Sequence, residues 1–132
     1  MLAGAIFFGN GSTSSARFRD TSIYLDTKFL LGLLGYAGDS IKAPRLELVD
    51  LLWASGATLL CFQHTYDEVE SVLRGCAKNL RVNRASFGHG QTFEYLIAKN
   101  YSESDVLMLA SRLERDLESL KIASSAESVG RG

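Results

Sequence analysis

Two short runs constrain this chain more than anything else in it. Ser22-Ile23-Tyr24-Leu25 runs straight into Asp26, and a helical pattern begins at the next residue. Thr58-Leu59-Leu60-Cys61-Phe62 is apolar after its first residue, is bounded by turn residues, and also feeds a helical pattern. Runs of this length suit strands, and a continuous apolar run suits a strand covered on both faces. Between them lie Phe29 to Leu34 and Leu46 to Trp53, a crossover of the length that parallel strands need. The crossover is expected to be right-handed, so Asp26 and the residues just past Phe62 share one sheet edge. Open α/β sheets bind ligands just outside the carboxyl ends of their strands. Asp26 therefore stands where a metal or a phosphate would sit.

The rest of the chain is read around those two runs. Gly9-Asn10-Gly11-Ser12-Thr13-Ser14-Ser15 has the composition of a linker. We expect a flexible segment over 1–19, one folded unit over 20–122 and a disordered tail over 123–132. A short buried helix runs from Thr27 to Tyr36, with Gly35 and Gly38 where it stops. Residues 37–43 read as a loop, and Pro44 suits the first turn of a helix that Gly56 ends. Thr65-Tyr66-Asp67-Glu68 matches a capping box. Val69, Val72, Leu73, Cys76 and Leu80 then recur at spacings of three and four, the cleanest amphipathic pattern in the chain. After a loop over 84–91, Phe93, Leu96 and Ile97 make a short helix that fades at Asn100. Ser102 caps a final helix, with Asp105 three residues on and a stripe of Val106, Leu109, Ala110, Leu113, Leu117 and Leu120.

Composition narrows the partners. Among 132 residues, 14 are basic and 15 acidic, a net charge of −1, so nothing global advertises nucleic acid. A phosphate-binding surface must be a local patch, and Arg74, Lys78 and Arg81 along one helix, with Arg84 just beyond, are the candidates. Their other reading is a solvated helix face. Two cysteines, Cys61 and Cys76, make a poor disulfide framework and read as reduced, core-packed thiols of a cytoplasmic protein. The apolar start, Met1 to Phe8, is too short for a membrane span, which needs about 20 residues, and no membrane association is expected. His64 and His89 lack metal-ligand spacing and read as loop or surface residues. No glycine-rich phosphate loop is present.

Tyr24-Leu25-Asp26-Thr27-Lys28-Phe29-Leu30 together with Cys61-Phe62-Gln63-His64-Thr65-Tyr66-Asp67-Glu68-Val69 resembles the first half of a PIN domain, a family of metal-dependent ribonucleases. The resemblance covers roughly residues 22 to 82. It implies an α/β, Rossmann-like parallel sheet with helices on both faces, here helix-rich and truncated. It also implies Mg²⁺ or Mn²⁺ held by Asp26, the family's first acid, and Glu68, its second, with RNA as substrate. Two features depart from the family pattern. Lys28 stands two residues after the first acid, where many members have Asn or Ser, and no Asp at a strand end follows residue 105. These departures keep a second expectation alive: a catalytically inert PIN-like interaction module, with a protein partner or a second copy on an exposed strand edge. Each site residue also has a purely structural reading. Asp26 caps the helix that follows it, Glu68 closes the capping box of Thr65, and Thr27 starts its helix.

Overall fold

The computed structural model describes residues 18–83 and 90–125. In chain order the elements are β1 (Ser22–Tyr24), α1 (Thr27–Leu33), α2 (Asp39–Ala54), β2 (Thr58–Phe62), α3 (Gln63–Asn83), α4 (Gly90–Ala98), α5 (Glu103–Ser111), α6 (Leu113–Ser119) and β3 (Ile122–Ser125). The chain is thus a helix-rich α/β protein. Its three-stranded sheet has the order β1-β2-β3. Both pairings are parallel, with Tyr24 beside Leu60, and Leu60 and Phe62 beside Ala123 and Ser125.

The strand order dictates where the helices go. Stepping from β1 to β2 to β3 moves in one direction across the sheet. Two crossovers of the same hand that step in the same direction lie on the same face. Burial agrees with this. Leu25, Leu59, Cys61 and Ile122 point into a core built with Leu30 and Leu33 of α1, Val49 and Leu52 of α2, Val69 of α3, and Leu113 and Leu117 of α6. The alternate residues, Ser22, Tyr24, Thr58 and Ala123, are exposed, and Leu60 and Phe62 are half-buried. The described helices therefore cover one face, not the two expected, and the apolar run of β2 is sheathed on one side. A second cluster lies between helices, where Leu73, Cys76, Ala77 and Leu80 of α3 meet Phe93, Leu96, Val106 and Ala110.

Four local expectations change. Residues 39–43 are helix rather than loop, and Pro44 lies inside α2. Gly38, at φ 99°, starts that helix, and Ile41 and Arg45, one turn apart, both pack on Gly32 of α1, leaving no room there for a side chain. The capping box at Thr65 does not form. The strand passes into α3 at Gln63 with no intervening loop, which leaves Thr65 buried inside the helix. The final helix breaks at Arg112 into α5 and α6. The break follows the cores: Val106 and Ala110 serve the inter-helix cluster, whereas Leu113 and Leu117 serve the sheet. Lastly, 122–125 form a third strand where an irregular tail was expected from Ala123. Ala and Ser have little strand preference of their own, and pairing with β2 overrides it. The expected segment over 1–19 falls outside the described residues up to position 17, as do His89, Arg84 and 126–132.

Three other local expectations hold. Ser102 and Asp105 form a reciprocal capping box at α5. Asn100, at φ 61°, ends the run after α4. Both cysteines are free and buried, and burial raises both thiols above their ordinary value, which disfavours the reactive thiolate.

Candidate functional site

β1 ends at Tyr24, Leu25 tucks into the core, and the chain turns outward at Asp26. Asp26 is the N-cap of α1: its Oδ1 accepts the Phe29 N–H at 2.8 Å. The structural reading of this acid is therefore correct in itself. A cap bond engages one carboxylate oxygen of an exposed side chain, and fixes the direction in which the carboxylate points.

Glu68 takes the opposite course. With no capping box to close, its side chain crosses to the neighbouring strand end and accepts from Thr27 Oγ1 at 2.6 Å. Thr27 is half-buried and Glu68 exposed. The bond joins residues 41 apart in sequence, and it places the second acid beside the residue that follows the first. Thr27, read from sequence as a helix starter, is thus the link between the two acids. A threonine hydroxyl immediately after a strand-end acid was the only signal, and the same residue type starts helices. The bond occupies Oε1 of Glu68 and leaves Oε2.

Neighbouring side chains hold this edge in place. Arg45 donates from Nη1 to the Lys28 carbonyl at 2.9 Å, and its guanidinium lies 5.1 Å from the centre of the Phe29 ring. It braces the first turn of α1 against α2. Gln63 Nε2 donates to Asp67 Oδ1 at 3.0 Å, so Asp67 is committed within its own helix. Lys28 is exposed, two residues beyond Asp26.

The basic residues on α3 are arranged differently. At about 100° per residue, Arg74, Lys78 and Arg81 fall on one stripe of the helix, and Glu68 lies off it. Arg74 Nε pairs with Glu70 Oε2 at 3.0 Å, and Arg81 Nε with Glu103 Oε2 at 3.2 Å. Lys78 is exposed. The stripe runs from about 9 to 20 Å along the helix from Glu68, at 1.5 Å per residue. A phosphate reaching it would compete with two existing carboxylate partners.

One feature was not anticipated from the sequence. Tyr24, Phe62 and His64 form a file of rings at the carboxyl ends of β1 and β2. The Tyr24 and Phe62 centroids are 4.3 Å apart with planes at 13°, and those of Phe62 and His64 are 5.8 Å apart with planes at 11°. The signal lay in the two strands together: each ends in an aromatic residue, and parallel pairing sets Tyr24 beside Leu60, which makes Phe62 its diagonal neighbour on the same face.

As donors for a cation, two carboxylates suffice in kind. Magnesium takes one or two and completes its shell with water and phosphate oxygens. Among the described residues, no group of three or more His, Cys, Asp or Glu is gathered to hold a metal, so an ion here would rest on Asp26 and Glu68. Among those residues, too, no helix is long and apolar enough to cross a membrane. Comparison of the chain with family models, curated proteins and solved structures gave no match.

Proposed function

We propose that Asp26 and Glu68 are the first two acids of a PIN-like ribonuclease site that uses Mg²⁺ or Mn²⁺ to hydrolyse RNA phosphodiester bonds. The observation that supports this reading is the Thr27–Glu68 hydrogen bond, which draws the acid of α3 to the strand end that carries Asp26. A bound divalent ion would supply an activated water and neutralise charge on the attacked phosphate. The protein's part is positioning. The Phe29 N–H orients Asp26, Thr27 orients Glu68, and Arg45 fixes the helix turn on which the first of these rests.

The experiment is a calorimetric titration with Mn²⁺, paired with cleavage of a single-stranded RNA. Millimolar or tighter binding that disappears in Asp26→Asn supports the metal site. Asn is as good an N-cap as Asp, so this variant removes the ligand charge and keeps the fold. Metal-dependent cleavage unchanged in Asp26→Asn would refute the assignment. For the 132 residues alone we expect cleavage to be weak or absent, because two acids anchor an ion less completely than three or four.

A second reading, an inert PIN-like interaction module, is favoured by Lys28. Its ammonium stands two residues from Asp26, and would take the place of the cation. In that case Mn²⁺ does not bind, and Lys28→Ala opens the site to it.

A further inference from the structure

The open face of the sheet is not built like the covered one. The covered face is Leu25, Leu59, Cys61 and Ile122. The open face is Ser22, Thr58, Ala123 and Ser125, with Leu60 and two aromatic rings toward the carboxyl end. A layer of helices packed there would meet small and polar side chains over most of its area. What the face does offer is concentrated at one end: Tyr24, 42% exposed, then Phe62, then the exposed ring of His64.

We propose that Tyr24, Phe62 and His64 form a stacking site for a base of single-stranded RNA, seated at the edge that carries Asp26 and Glu68. The proposal rests on the ribonuclease reading for its choice of nucleic acid, and adds how the strand is gripped. Three observations carry it. First, the rings lie nearly parallel, at 13° and 11°, so a flat base continues the file at the Tyr24 or the His64 end. Exposed aromatics on a sheet bind unpaired bases in this way, because every base has a π-face. Second, the placement is economical. Tyr24 precedes Asp26 by two residues and His64 precedes Glu68 by four, about one helical turn. A base on the stack thus brings its own phosphate toward the acid pair. Third, one cation stands near that edge: Lys28 is exposed two residues past Asp26, an ammonium for the phosphate that follows the stacked base. Duplex RNA keeps its bases stacked on one another and cannot use the site.

The test measures binding without turnover. Fluorescence anisotropy of the full chain is recorded in EDTA with a labelled single-stranded oligoribonucleotide, the matching duplex, and an abasic strand of equal phosphate number. We expect the base-bearing single strand to bind best. Tyr24→Ala and His64→Ala should each weaken it about 5- to 150-fold, while Tyr24→Phe, which keeps the ring, binds as the native chain does. Both positions are exposed, and a thermal melt verifies that each variant folds. Equal binding of the abasic strand, or binding unchanged in Tyr24→Ala, overturns the proposal. So does self-association of the chain that Tyr24→Ala abolishes while RNA affinity stays the same, since the rings would then belong to a protein interface. EDTA separates this proposal from the metal site. Base-dependent binding without Mn²⁺ affinity leaves the stack standing and removes the hydrolase. Mn²⁺ affinity without base dependence does the reverse.

Discussion

Replacing Thr27 by valine keeps the shape of the side chain and removes the hydroxyl that holds Glu68 of α3 beside the residue that follows Asp26. A hydrogen bond to a charged acceptor contributes about 1.5–3 kcal/mol when water is excluded. Here Glu68 is exposed and Thr27 half-buried, so water competes, and interactions at such positions fall to about 0.2–1 kcal/mol. The short 2.6 Å separation argues for the upper end, and we expect a coupling of about 1 kcal/mol. The cost of either single change mixes this bond with helix preference and desolvation. The assay is therefore a double-mutant cycle by urea unfolding: native chain, Thr27→Val, Glu68→Ala and both. The double variant should be more stable than the sum of the singles implies, by the coupling energy. Additivity within about 0.3 kcal/mol, the level seen for independent sites, would mean that the bond does not hold Glu68 in place. The preorganisation argument for the site would then fall with it.

Three further outcomes follow from the packing and the titrating groups. Leu59, 1% exposed at the centre of the sheet and in contact with the core below it, should cost about 2–5 kcal/mol as alanine; a loss below about 1 kcal/mol by urea unfolding would show that this core is loosely packed. Burial, reinforced by the Asp116 carboxylate, pushes the Tyr36 phenol up from 10.0 to about 12. The folded state thus keeps a proton that the unfolded state gives up, so this contribution is complete below pH 10 and is lost as pH rises through 12. Tyr36→Phe should flatten the alkaline decline, and an unchanged decline would contradict the assignment. The Ser102 backbone N–H and then its hydroxyl hold Asp105 below its ordinary value of 3.8. That capping contribution is present above this value and disappears as pH falls through the lowered one, so urea unfolding should find the native chain more stable than Asp105→Asn at neutral pH and the gap closing in acid; a gap that does not change with pH would count against it.

Much of the fold was legible because local signals agreed with the final packing. The strand at Ser22–Tyr24, the strand at Thr58–Phe62, the amphipathic α3 and the Ser102–Asp105 box each carry their own pattern, of period or of cap chemistry. Errors arose where one local pattern served two environments. The stripe from Val106 to Leu120 looked continuous because its spacing is continuous, yet its halves face different clusters and the helix breaks between them. Ile122-Ala123-Ser124-Ser125 is a strand by virtue of its partner, which no window of its own sequence contains.

By itself, the sequence determined an α/β chain with Asp26 at a strand end and two reduced, buried cysteines, because hydrophobic period and residue size are local properties. Only the tertiary structure decided what the acids do. Thr65 and Glu68 satisfy every sequence rule for a capping box, but a helix that starts at Gln63 leaves Glu68 free to reach Thr27. The same holds for the rings. Tyr24 and Phe62 are ordinary strand residues until parallel pairing stacks them at the edge of a sheet whose second face the described helices leave open. Strand order, through the hand of its crossovers, set that face free.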